Sequence, residues 1–271
     1  MTAQAENRAA TGGRRGVYVY GILPGDIEVE PGATGVGDPP GEIRIVRRGD
    51  LAALVSDVNL DRALGRAEDL FTHEELLDAS AADVPVLPLR FGAVVSDDDA
   101  VAGELLGPHH DEFAAALRQL EGQAEFVVKG RYVEHAILRE VLTEQPEAAQ
   151  LSEQIKDADP DATREERMRL GEIVTSAIDA KRNADTEALG DALSGQVTAS
   201  VVRPATHELD AVYAAFLVEN GKAEALRQAV DRIADEWRGR IDLQLAGPLA
   251  AYDFVGDATA SADVPTGRSA R

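Results

Sequence analysis

Short runs of β-branched and aromatic residues alternate along this chain with stretches whose apolar residues recur every three or four positions. A chain patterned this way folds as strands and helices together. Val17-Tyr18-Val19-Tyr20-Gly21-Ile22-Leu23, closed by Pro24-Gly25, reads as a central strand. Residues 43–46 and 51–55 flank Arg48-Gly49-Asp50 as a hairpin. Residues 86–95 are extended and largely apolar, but Pro88 can donate no ladder hydrogen bond, so this run belongs at a sheet edge or a bulge. Ile241, Leu243 and Leu245 alternate with Asp242 and Gln244, the two-residue period of a half-buried strand. The fold class that follows is α+β.

Helices fall between these runs. Thr72 and Glu75 have capping-box spacing, with Phe71 placed to staple onto Leu76, and the helix they open must end before Pro85. Asp97 to Asp99 open a second helix; Phe113, Ala116, Leu117 and Leu120 mark one face of a third, which Gly122 ends. Beyond it, 124–132 is a strand, and Ile137, Leu138, Val141 and Leu142 have helical spacing. A polar stretch, 143–161, precedes a long charged helix carrying Leu170, Ile173, Val174, Ala177 and Ile178, with Glu165 and Arg169 spaced for an i,i+4 pair. Residues 197–202 form a strand stopped by Pro204, and Leu226, Ala229, Val230, Ile233 and Trp237 define a last amphipathic helix. Segment 209–218 fits a helix or a strand. As a strand, it makes the second half a ferredoxin-like β-α-β-β-α-β arrangement. The expected organisation is a disordered arm over 1–15, a mixed α+β domain over 16–122, a ferredoxin-like α+β domain over 123–255, and a free tail over 256–271.

Charge narrows the function. At 271 residues with a net charge of −22, the chain repels phosphate backbones and anionic lipid surfaces, so neither nucleic acid nor membrane is expected as a partner. The acidity reads most simply as a solubility feature. Without cysteine there is no disulfide, thiolate nucleophile or cysteine metal site. Residues 1–16 contain no apolar core of a secretory signal, and no run approaches the roughly 20 apolar residues of a membrane span, so a cytoplasmic protein is expected.

Chemistry-bearing motifs are missing or incomplete. His73-Glu74-Glu75 resembles the start of a zinc-protease motif, but Leu77 stands where the second histidine should be, so His73 reads as a first-turn residue. His109 and His110 diverge by about 100° on a helix and cannot share an ion. Gly32-Ala33-Thr34-Gly35-Val36-Gly37 leads into no helix and no Lys-Ser/Thr, so it is a loop and not a phosphate cradle. Ser152, Ser176 and Ser194 lie in no nucleophile elbow, and carboxylate clusters such as Asp97 to Asp99 are too common here to mark an acid–base pair. No catalytic residue, metal ligand or cofactor site is expected, and the chain reads as a non-enzyme.

Several segments, in order, resemble the GvpF/GvpL family of gas vesicle proteins: Val17-Tyr18-Val19-Tyr20-Gly21-Ile22, Leu51-Ala52-Ala53-Leu54-Val55-Ser56, Val86-Leu87-Pro88-Leu89-Arg90-Phe91-Gly92 and Glu125-Phe126-Val127-Val128-Lys129-Gly130. Ala214-Ala215-Phe216-Leu217-Val218 and the closing Gly247-Pro248-Leu249-Ala250-Ala251-Tyr252-Asp253-Phe254-Val255 continue the match, the last tilting it toward GvpF. Leu249, Ala250 and Ala251 replace the Trp or Pro of many members. The resemblance implies a ferredoxin-like second domain, hence the strand reading of 209–218. It also implies an accessory role in gas vesicle assembly or a minor place in the vesicle, no cofactor, and the small hydrophobic shell protein GvpA as partner, with other vesicle proteins beside it. The partner-binding residues stay unassigned: Arg90, Phe91, Tyr252 and Phe254 are candidates, but packing accounts for the aromatic ones and a carboxylate partner for Arg90. A small-molecule-sensing regulator with a ferredoxin-like domain is the alternative reading, on fold analogy alone.

Overall fold

The computed structural model describes residues 14–29 and 32–256. It divides into two compact units, one holding the chain up to Glu125 and again from Pro248, the other Phe126–Gly247. The boundaries expected at 122 and 255 differ from this division mainly at the end of the chain, where 248–255 packs in the first unit. Of the expected arm only Arg14 and Arg15 are described, and Arg15 already belongs to a strand; residues 257–271 of the expected tail lie outside the described residues.

In the first unit, β1 (Arg15–Pro24) is buried almost throughout and lies inside a sheet ordered β2-β3-β1-β4. β2 (Arg44–Arg48) and β3 (Leu51–Asn59) form the expected hairpin, with Gly49 at φ 64° in the turn. β4 (Leu87–Pro88) and β5 (Val94–Val95) both pair with β1 on its other side. Pro88 therefore sits on an edge strand, where a missing N–H breaks no ladder. One apolar cluster gathers Tyr18, Tyr20, Leu54 and Val58 from the sheet, Leu77 from α1 (Ala67–Ala81), Val36 from the glycine-rich loop and Ala250 from the closing segment. Asp97 caps α2 (Asp98–Ala100) by accepting the Ala100 N–H at 2.8 Å, and a π-helical stretch, Val101–Leu106, follows. α3 (His110–Leu120) buries Phe113, Leu117 and Leu120 as its spacing predicts, but Ala114 rather than Ala116 completes the face.

The second unit holds β6 (Gln123–Tyr132), α4 (Glu134–Glu144), α5 (Pro146–Ile155), α6 (Arg164–Leu193), β7 (Ala199–Val202), β8 (Asp210–Glu219), α7 (Ala223–Glu236) and β9 (Ile241–Leu249), the first residues of β6 and the last of β9 lying beyond the unit's bounds. Its sheet is ordered β7-β8-β6-β9. Segment 209–218 is a strand: eight of the ten residues of β8 are buried, with only Tyr213 half-buried among them, as in a strand covered on both faces. The polar stretch 143–161 contains a helix the sequence does not advertise, α5, opened by Pro146, whose missing N–H costs nothing in a first turn. α5 also changes the pairing of Arg169, which bonds Glu147 at 2.9 Å and Glu172 rather than Glu165. Tyr132, Ile137, Val141, Ile178, Ala211 and Ile241 form this unit's core. Beside it, Arg240 joins Glu140 on α4 and Asp185 on α6, and Tyr132 donates its hydroxyl to Asp185 at 2.6 Å.

Candidate functional site in the first unit

α1 begins six residues earlier than the capping-box reading of Thr72 and Glu75 predicts, at Ala67. Its N-terminus is served instead by Asp69, buried to 4% exposure, whose carboxylate accepts the N–H groups of Gly65 at 3.2 Å, Arg66 at 3.1 Å and Gly37 at 3.3 Å. A carboxylate at a helix start satisfies orphan donors and meets the positive end of the helix dipole. The helix then buries Asp69, His73 and Leu77, one residue per turn along a single stripe.

His73 is therefore no solvated first-turn residue. It is 1% exposed and wrapped by aromatic rings, with Tyr20 stacked at 5.7 Å and Phe91 edge-on at 5.6 Å. The Tyr18 oxygen lies 2.9 Å from His73 Nδ1 and accepts the Gly92 N–H at 3.1 Å. Nε2 is buried without a hydrogen-bond partner. Burial pushes the His73 pKa down to about 4, so the ring is neutral at pH 7. Next to it, Tyr20 pairs its hydroxyl with Ser56 at 2.8 Å and accepts the Val36 N–H at 2.7 Å. This buried network ties α1, β1, the glycine-rich loop and the Arg90-Phe91-Gly92 turn together. It offers no reacting group to solvent, and His73 has no second ligand. Among the described residues no cluster of three or more His, Asp or Glu side chains could hold a metal ion.

The opposite face of α1 is different. At 100° per residue Phe71 falls about 200° from Asp69, and it is 64% exposed, not stapled onto Leu76. Glu75, Asp78, Ala79 and Ala82 continue this face, and with Glu74 and Pro248 they line a cleft of about 460 Å³. The closing segment builds the far wall. Its Ala250 N–H donates to the Asp78 carboxylate at 2.8 Å and its Asp253 N–H to Glu125 at 3.0 Å. Ala250, Ala251 and Val255 are buried, whereas Tyr252 is 37% exposed and Phe254 half-buried. The anchor of this segment is thus two backbone hydrogen bonds and small side chains, not the Tyr252 ring. Burial raises the Asp78 pKa, against the pull of the Ala250 N–H. The Tyr252 pKa is also raised, first by burial of its hydroxyl and then by the Asp78 and Glu74 carboxylates.

Of the residues singled out by sequence, the structure brings Tyr252 close to this cleft and packs Phe91 against Tyr18 and His73. Arg90 is exposed and makes no ion pair among the described residues, so the expected carboxylate partner is absent there. Phe71, Glu74, Glu75 and Asp78 are residues that sequence reasoning misses as a surface. The available signal is the four-residue spacing of Asp69, His73 and Leu77, but two of those three are polar and do not register as a buried stripe.

Residues 16–256 match the family described as gas vesicle synthesis protein GvpL/GvpF. The chain is 37% identical to gas vesicle protein F of Streptomyces sp. (strain CB03234), over 88% of this chain and 98% of that protein. It is 30% identical to gas vesicle protein L of the same strain, over 88% of this chain and 92% of the relative. The fold is similar to the crystal structure of GvpF from Anabaena sp. PCC7120, at a TM-score of 0.73 and 23% identity, covering 89% of this chain and 98% of the other. GvpF from Microcystis aeruginosa gives a TM-score of 0.72 at 20% identity, with the same coverage.

Proposed function

Because this chain belongs to the GvpL/GvpF family of gas vesicle proteins, we propose that it is a non-enzymatic accessory protein of gas vesicle formation that binds the main shell protein GvpA. It acts in the cytoplasm and at the vesicle, as an assembly factor or minor component that also meets other vesicle proteins. The observation that carries this reading beyond family membership is the outer face of α1. There an aromatic ring stands 64% exposed beside a cleft walled by carboxylates, on a chain of net charge −22.

A small shell subunit that polymerises through apolar surface is prone to aggregate before assembly. A partner that covers part of that surface and repels its own copies by charge would hold the subunit in solution. No helix of the described residues is long and apolar enough to cross a membrane, which agrees with a role outside the bilayer. We also read the chain as two domains and the second as ferredoxin-like. The strand order β7-β8-β6-β9, with α4 to α6 between β6 and β7 and α7 between β8 and β9, supports this.

The test is co-expression of tagged full-length protein with GvpA, measuring retention of GvpA on the tagged chain and the fraction of GvpA left in solution. The expected result is retention with a larger soluble fraction. Neither retention nor a change in solubility would overturn the reading.

A further inference from the structure

Five large apolar side chains are exposed among the described residues, from Tyr252 at 37% to Phe71 and Val202 at 64%, with Leu70 and Met168 between them. Two of them, Phe71 and Tyr252, stand on the two elements that wall the α1 cleft, and Leu70 flanks it on the helix. Isolated exposed apolar residues need no explanation, but an exposed ring beside a formed cleft is the pattern of an anchor-binding surface.

The walls constrain what fits. The polar groups α1 turns toward the cleft are three carboxylates, Glu74, Glu75 and Asp78, and no cation lines it. Asp78 and Tyr252 are both held toward their neutral forms, the Tyr252 hydroxyl partly by the negative charges of Asp78 and Glu74. An incoming ammonium or guanidinium would relieve that crowding, and an incoming carboxylate would add to it. The wall residues themselves offer little to strand addition. The amides of α1 are spent on its own turns, Pro248 has no N–H, and the Ala250 N–H already serves Asp78. A segment entering here must satisfy its own backbone, which a helix does. A second copy of this chain would set the same three carboxylates against themselves.

We propose that the α1 cleft receives a helical segment of a partner protein, one that inserts an apolar side chain beside Phe71 and sets lysine or arginine against Glu74, Glu75 and Asp78. This rests on the reading above that the chain binds a vesicle protein, and it adds where the binding occurs and what chemistry the partner brings.

The probe is a labelled synthetic amphipathic helix of leucine and lysine, with a leucine–glutamate helix for comparison. Binding to the full-length chain is followed by fluorescence anisotropy. The cationic helix should bind at least about tenfold more tightly than the acidic one. Phe71→Ser should weaken it about tenfold, the scale of losing an interface anchor, and Glu74→Lys with Glu75→Lys by more. Glu165→Lys with Glu187→Lys, exposed positions on α6 that change net charge equally, should alter it less than about twofold. Melting curves of all variants should overlay, since the substituted side chains are on the surface. Equal losses from the α6 pair would show diffuse attraction to an acidic protein and overturn the site. So would indifference to Phe71→Ser, or a wild-type dimer that this substitution dissolves. GvpA retention by the same variants separates the two readings. Undiminished retention sinks the cleft and leaves the shell-protein role; a wild-type chain that binds the cationic helix at this cleft but not GvpA sinks the role and leaves the cleft.

Discussion

The Tyr18 hydroxyl meets Nδ1 of His73 at 2.9 Å inside a closed aromatic cluster, and the ring it meets is neutral. Tyr18 comes from the central strand and His73 from the buried stripe of α1, so one hydrogen bond joins sheet and helix across 55 residues of chain.

Acid should loosen this joint. The His73 pKa falls from 6.5 to about 4 on folding, so between those values the unfolded chain binds the proton and the folded chain does not. Stability from this group is therefore complete above about pH 6.5 and declines as pH falls toward 4. The decline is at most about 1.4 kcal/mol per pH unit. Urea unfolding at pH 7 and pH 5 should show a loss of about 1–2 kcal/mol that is absent in His73→Gln. An equal loss in both proteins would assign the slope to other groups.

Asp69 should matter more than an ordinary helix cap, because three backbone donors depend on it and one, Gly37, belongs to a distant loop. Asp69→Ala leaves those donors in a largely buried site, at an expected cost of about 2–3 kcal/mol. Asp69→Asn keeps one acceptor oxygen and should cost less. Denaturant midpoints at constant slope measure both.

Two glycines should fail for different reasons. A Cβ at Gly35 would stand 1.9 Å from the Tyr20 hydroxyl, forcing that ring off Ser56 and Val36. Gly92 has open space around it but holds φ 91°, where an L side chain is strained. Gly92→Ala should cost about 1 kcal/mol, and Gly35→Ala, which overpacks the core, about 2–3 kcal/mol. Thermal melts should rank them in that order; the reverse order would mean that the loop around Gly35 yields freely.

In the second unit, Arg240 lies between Glu140 and Asp185 with each side chain less than a third exposed. Arg240→Met leaves Glu140 to Lys181 and Asp185 to the Tyr132 hydroxyl, and should cost about 1–3 kcal/mol, the lower part of that range if solvent reaches the carboxylates. A double-mutant cycle with Asp185→Asn should show coupling of about 1 kcal/mol. Coupling near zero would reduce the network to surface charge.

The hairpin at Gly49, the edge position of Pro88, the cap at Asp97 and the alternation of Ile241, Leu243 and Leu245 were all legible in the chain. Each follows from short-range sterics or from apolar periodicity, which a few neighbouring residues settle. Family membership was legible as well, through motifs spread over most of the chain.

Four features needed tertiary structure. Segment 209–218 suits helix and strand alike, and the sheet places it as β8 because strands wait on both sides of it. Residues 248–255 join the first unit because their acceptors, Asp78 and Glu125, lie more than 100 residues earlier. Asp69 and His73 are buried because Gly37 and Tyr18 bring them hydrogen bonds from elsewhere in the chain. Phe71 is left outside because those two polar residues took the inner face of α1. Local sequence sets which residues can form a helix; which of its faces turns inward depends on partners that only the folded chain assembles.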